Sequence, residues 1–189
     1  MLLATVVIDP PSVVALGAIF VLFMSRSIAA GSPLRRSVLV GGFVGGWMAL
    51  CFSFMGFKYP GWMLVYLIDP KSLPAALWVP LFVLVMTGCG ALGGFLAHRF
   101  LAAGRRAAAF AVVGISGAIW IALFAVTMQR YVRFGSYEEW NAGTARLLSE
   151  QPAVMHDMNL VTIATAVPLV SLLALIVWRN RRAAQPTTA

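Results

Sequence analysis

The sequence predicts an all-α integral membrane protein, a single bundle of five transmembrane helices with a cap on its outer face. Three observations carry this expectation. Of 189 residues, 61% are hydrophobic and 11% charged, and the mean hydropathy is +0.89, beyond the apolar share of a soluble domain. A soluble chain of this length must clothe the roughly 30% of its surface that folding leaves in water, yet Asp and Glu total 6 here. Five apolar runs, each of about 20 residues, have the length that hydrocarbon requires. The basic residues stand in short groups at the ends of those runs: Arg26, Arg35 and Arg36; Arg99, Arg105 and Arg106; Arg179, Arg181 and Arg182. The net charge of +8 is therefore a matter of topology rather than of nucleic-acid docking, which needs a continuous basic face.

The elements follow in order. Helix one is expected over 11–30. The amino terminus MLLATVVIDPP has no basic residue before the apolar stretch, so the run reads as a retained helix rather than a cleaved signal. Helix two, 37–57, carries Gly41, Gly42, Gly45 and Gly46, overlapping small-xxx-small pairs of the kind that let membrane helices approach closely. Pro60-Gly61 stops it. The outer connection then reads FKYPGWMLVYLIDPKSLP, in which 62–68 is apolar but too short to cross. This stretch is expected in the interface, with Tyr59, Trp62 and Tyr66 at headgroup level and Lys58 and Lys71 available to an anionic headgroup. Helix three, 73–97, bears Gly88, Gly90, Gly93 and Gly94, and helix four, 107–129, bears Gly114 and Ala118. Helices two, three and four are expected at the centre, with helices one and five at the rim.

The second outer connection opens with Ser136-Tyr137-Glu138-Glu139, the S-x-x-E spacing of a capping box. It predicts a short amphipathic helix ending before Pro152, with Trp140, Gly143, Thr144 and Leu147 on one face and Glu138, Arg146 and Glu150 turned to water or a cleft. Helix five, 158–178, is expected to begin at Asp157, whose carboxylate suits a helix amino terminus. Pro168 should kink it, with hydroxyls of Thr162, Thr165 and Ser171 meeting the freed carbonyls. The single transmembrane domain then covers 1–182, and 183–189 is a short cytoplasmic tail.

With the amino terminus outside, nine arginines face inward, and Lys58, Lys71, Arg130, Arg133 and Arg146 face outward. Nine against five obeys the positive-inside rule. All six acids then fall on the outer side. An internal echo accompanies this layout: Ala15-Leu16-Gly17, Arg26, Ala29-Ala30-Gly31 and Arg35-Arg36 reappear as Ala91-Leu92-Gly93, Arg99, Ala102-Ala103-Gly104 and Arg105-Arg106. Trp47-Met48-Ala49-Leu50 likewise returns as Trp120-Ile121-Ala122-Leu123. The pattern is that of a parallel duplication of a helical hairpin, although Ala/Gly/Arg-rich composition alone also produces such matches.

No Asp, Glu, Lys, Arg or His falls in the middle half of any run, which disfavours ion-coupled transport. Phosphate-loop, dinucleotide and nucleophile-elbow motifs are absent. Cys51 and Cys89 lie at different depths with no CxxC spacing, so neither a disulfide nor a metal site is expected. His98 is placed beside Arg99 at the inner interface. Chemistry, if present, is expected outside: His156 with Asp157, Glu138, Glu139 and Asp69 as acid/base groups, and Lys58, Tyr59, Trp62, Tyr66, Arg130, Arg133 and Trp140 as ligand-binding groups. Without HxxE or HExxH spacing, no metal site is assigned, and the sequence names no cofactor.

The expected function is a non-catalytic subunit or binding module for a lipid, a lipophilic small molecule or a partner protein at the outer face. The alternative is a membrane-embedded enzyme acting on a lipophilic substrate through His156 and nearby carboxylates. Expected partners are membrane lipid and, through the Gly-rich helix faces, another membrane protein or a second copy, but not nucleic acid. The expected location is a bacterial inner membrane, from the wealth of Arg, Ala and Gly.

Overall fold

The computed structural model describes residues 9–58, 74–134 and 137–182, and the side-chain surroundings at all of these except 75, 127–134, 137–151 and 155. Among the described residues six helices run in order: α1 Pro10–Leu22, α2 Ser25–Ala29, α3 Leu34–Lys58, α4 Ala75–Ala102, α5 Arg106–Phe134 and α6 Tyr137–Arg182. There is no strand among the described residues. Among the described residues four stretches are long and apolar enough to cross a membrane: Leu34–Lys58, Ala76–Ala102, Arg106–Val126 and Pro152–Arg182. The helix Pro10–Leu22 is apolar but shorter.

α1 begins as its sequence dictates. Asp9 is extended, the Ser12 amide donates to its Oδ1 at 3.2 Å, and its own amide donates to Ser12 Oγ at 3.3 Å. Pro10 and Pro11 take first-turn positions where no N–H is needed. The expected helix 11–30 is not continuous. At Met24 the amide bonds back to the Val21 carbonyl, three residues away rather than four, and this tight turn separates α1 from α2. Met24 is 2% exposed, so the break turns an unbranched, adaptable side chain into the core.

α6 departs furthest from expectation. Instead of a short helix ending before Pro152 and a span starting at 158, one helix of 46 residues contains both Pro152 and Pro168. A proline forfeits one backbone bond and strains the preceding turn, but it does not have to end a helix whose remaining bonds are intact. The carbonyl that Pro168 leaves without an intrahelical donor is that of Ala164, four residues earlier. Thr162 and Thr165 do not reach it, because their hydroxyls donate to the carbonyls of Met158 and Val161. The indole Nε1–H of Trp47, from α3, donates to it instead at 3.1 Å.

The centre of the bundle is α1, α3 and α4, not helices two, three and four of the sequence reading. Glycines make this centre. The Cα–H bonds of Gly17 on α1 and Gly41 on α3 both point at the carbonyl oxygen of Gly90 on α4, where a Cβ would collide with it. Gly45 faces the Met86 carbonyl, Gly93 the Val14 carbonyl and Gly94 the Ser37 carbonyl in the same way. Such Cα–H···O contacts recur wherever glycines bring helix backbones together. Gly114 and Gly117 on α5 have nothing within 4 Å of a Cβ position, so α5 lies outside this seam.

The two echoed hairpins turn alike. Among the described residues the glycines with positive φ are Gly31 (φ 87°) and Gly104 (φ 73°), which close the two Ala-Ala-Gly stretches. A left-handed residue at a helix end favours glycine. The echo also pairs Gly17 with Gly93 and Val14 with Gly90, so the Gly17–Gly90 and Gly93–Val14 contacts are one contact made twice, in reciprocal sense.

Two apolar clusters fill the bundle. Val13, Ala49, Phe52, Met55, Trp78, Phe82 and Val154 pack towards the α1 amino terminus, and Val21, Met24, Ile28, Val44, Ala97 and Ile176 towards the opposite end. Outside them, large apolar side chains face away from the protein, among them Phe110, Ile115, Ile121, Ile163 and Val170. That surface suits hydrocarbon rather than water.

Candidate functional site

At the end of the bundle that holds the α1 amino terminus, Lys58 Nζ lies 2.5 Å from Asp157 Oδ2, joining the last residue of α3 to α6. The Asp157 side chain is 13% exposed and that of Lys58 48%. Lys58 also stands 5.7 Å from the centre of the Phe54 ring, a turn below it on the same face. Asp157 is therefore not the cap of a helix, because the backbone on both sides of it is already helical. Its carboxylate makes a tertiary ion pair.

His156 is exposed while Asp157 is buried. Consecutive residues of a helix point about 100° apart, so the imidazole is turned away from the carboxylate that faces Lys58. Tyr59, Trp62, Tyr66 and Asp69 lie outside the described residues, as do the side chains of Arg130, Arg133, Glu138, Glu139 and Trp140. Of the expected acid/base set, the described side chains are thus His156 and Asp157, and they diverge. No group of three His, Cys, Asp or Glu side chains suited to a metal ion occurs among the described residues. Cys51 and Cys89 are free thiols.

Asp9 is a polar group that the sequence reading did not single out. It is 1% exposed, and its Oδ2 has no hydrogen-bond partner among the described residues. Burial pushes its carboxyl above the ordinary 3.8, against the pull of its bonds from Ser12. The signal available in the sequence was Asp-Pro-Pro ahead of an apolar run, which fixes the cap but not what packs over it.

At the opposite end, His98 differs from its expected interfacial role. It is buried, and its Nδ1 lies 2.8 Å from Ser37 Oγ, which is fully buried. The Ser27 amide donates to Asn180 Oδ1 at 2.9 Å, joining α2 to α6.

A third feature is the outer side of α5. Ala111, Gly114, Ala118, Ala122 and Ala125 recur at three- and four-residue steps, and all are exposed. At about 100° per residue they fall on the side opposite Ala109, Val112, Val113, Ser116 and Trp120, which are buried or half-buried. Phe110 and Ile121 wall this stripe on one edge and Ile115 and Val126 on the other, each at least 50% exposed. The echoed positions on α3, Gly41, Gly45 and Ala49, are buried, with Gly41 and Gly45 against the backbone of α4. A face that is filled on α3 is thus open on α5.

No protein-family model, no curated protein and no solved structure matches this chain, and the functional reading rests on these three features.

Proposed function

We propose that this chain is a non-catalytic subunit of a membrane complex, crossing the bilayer five times with its amino terminus outside, and that the exposed small-residue face of α5 receives a transmembrane helix of a partner. The observation that carries this reading is the contrast between α3 and α5. Membrane helices have no hydrophobic drive to associate in lipid and rely on close backbone contact at small residues. On α3 such a face is satisfied within the chain, and on α5 the equivalent face is not. A groove of Ala and Gly walled by Phe and Ile is also a poor match for disordered acyl chains but a good one for a helix ridge.

The orientation rests on nine arginines grouped at one end of the bundle against the five other Lys and Arg residues of the sequence, Lys58, Lys71, Arg130, Arg133 and Arg146. A fifth crossing would be made by α1 and α2 together. A bacterial inner membrane is the setting that the composition favours. The enzyme reading is weaker, since His156 and Asp157 diverge and Asp157 is held by Lys58.

Native mass spectrometry after extraction in a mild detergent tests the proposal. The expected result is a complex with a second membrane protein or a second copy of the chain, lost in Gly114→Leu and Ala118→Leu. Both variants place bulk into open space and should leave the fold intact. A wild-type chain that is monomeric from the outset, or complexes indifferent to both substitutions, would overturn the reading. Turnover of a lipophilic substrate abolished by His156→Ala would restore the enzyme alternative.

A further inference from the structure

We infer that the arginine-rich end of the bundle holds a binding site for the phosphate of an anionic phospholipid, in a groove between Arg26 and Arg106. The groove opens where α1 stops at Leu22 and α2 starts at Ser25. Its lining is Leu22, Ser25, Arg26, Leu101, Arg106 and Phe110, around a space of about 210 Å³. That is below the roughly 300 Å³ at which pockets begin to enclose a drug-sized molecule, and it suits a headgroup whose tails remain in the bilayer.

Charge points to the ligand. Arg26 and Arg106 line one cavity, and no carboxylate side chain among the described residues lies at that end. The six acids lie before α1, between α3 and α4, and in the amino-terminal half of α6. Other arginines at this end lie over rings, Arg99 at 6.0 Å from the Phe95 centroid and Arg182 at 3.8 Å from that of Trp178. Arg26 and Arg106 have no ion-pair or ring partner among the described residues. Two like charges sharing a cavity repel unless an anion sits between them. A phosphate oxygen pair accepts from a guanidinium fork in bidentate fashion.

Arg106 is also the first residue of α5, a helix of 29 residues, so the positive end of its dipole adds to the same field. The remaining walls separate a lipid from a soluble anion. Phe110, one helical turn above Arg106 and 62% exposed, continues the groove as an apolar surface together with Leu22 and Leu101. A glycerol backbone and the start of an acyl chain would lie there, with the phosphate at the arginines. Basic pockets between helices at a membrane face recognise anionic lipids in this manner.

The test uses the full chain in detergent, titrated with phosphatidylglycerol, phosphatidylcholine or inorganic phosphate. Bound molecules are counted by native mass spectrometry and the unfolding temperature is followed alongside. Wild type should retain phosphatidylglycerol at least about tenfold better than phosphatidylcholine and unfold at a higher temperature in its presence. Arg26→Gln with Arg106→Gln should abolish both effects. Arg179→Gln with Arg181→Gln, which removes the same charge at exposed positions outside the groove, should abolish neither. Equal losses in the two double variants would reduce the effect to general surface charge and overturn the site. Displacement of the lipid by millimolar inorganic phosphate would overturn the lipid assignment. Should the first double variant not fold, the wild-type temperature shift still decides, because its absence with phosphatidylglycerol alone sinks the proposal.

Discussion

The indole N–H of Trp47 donates to the carbonyl of Ala164, the backbone group that Pro168 strips of its intrahelical donor. A proline in one helix is thereby matched to a tryptophan in another. In hydrocarbon no water can take the place of the missing donor. Trp47→Phe should therefore destabilise the fold by about 1 kcal/mol, the scale of interhelical hydrogen bonds in membranes. Pro168→Ala restores the intrahelical donor, and in that background Trp47→Phe should cost little. Unfolding in mixed micelles, run as a double-mutant cycle, measures the coupling. Additive costs would show that Trp47 acts through packing alone.

The α1–α3–α4 seam makes a sharper prediction, because glycines of one type occupy two opposite environments. Gly41→Ala or Gly90→Ala would put a methyl group into a facing backbone, which no rotamer change can relieve. The helices must separate, and overpacking of this kind costs about 1–3 kcal/mol. Gly114→Ala meets nothing within 4 Å and also removes the backbone entropy of a mid-helix glycine, so it should be neutral or stabilising. Thermal unfolding in detergent separates the two classes. A loss at Gly114 equal to that at Gly90 would mean that α5 is packed in the monomer.

These contrasts mark what was legible in the sequence. The small-residue runs identified the close-packing helices α3 and α4, because glycine spacing alone sets where backbones can meet. They did not say which helix takes the other side of Gly90, and Gly17, a single glycine in helix one, turned out to share that carbonyl with Gly41. The Ala-Ala-Gly turns were visible as an echo, since a left-handed turn leaves its mark in residue type. The reach of α6 through Pro152 was not legible. A proline followed four residues later by His-Asp reads as a break and a cap, and only the Lys58 ammonium across the bundle gives Asp157 its other role. Lys58 is 99 residues away in sequence, and no local pattern announces such a pair.

The Lys58–Asp157 pair should stabilise the end of the bundle that holds the α1 amino terminus only modestly. Lys58 is half exposed, and ion pairs in that setting contribute below about 1 kcal/mol after side-chain entropy and screening. Lys58→Met, Asp157→Asn and the double variant should show a coupling of that size, reduced at high salt. Because the pair spans α3 and α6, its loss should speed amide exchange in α6 around residues 152–160 more than in α4. His156→Ala, at an exposed position, should leave the same amides unchanged.

Asp9 makes stability depend on pH. Its folded carboxyl titrates above the ordinary 3.8 because burial disfavours the charged form. The folded state therefore holds a proton that the unfolded chain has already released. By linkage, the stability so contributed is fully present below the unfolded pKa and is lost as pH rises through the folded one. Wild type should consequently lose thermal stability on going upward from about pH 4 through the raised titration. Asp9→Asn keeps an oxygen for the Ser12 amide, and asparagine caps about as well as aspartate, but it cannot ionise. Its unfolding temperature should be flat across that window and exceed that of wild type at neutral pH. Asp9→Ala should also be flat but lower at every pH by about 1 kcal/mol, the usual cost of a lost cap. A wild-type profile that rises with pH in this range would mean that the Asp9 carboxylate is stabilised as an anion in the folded bundle.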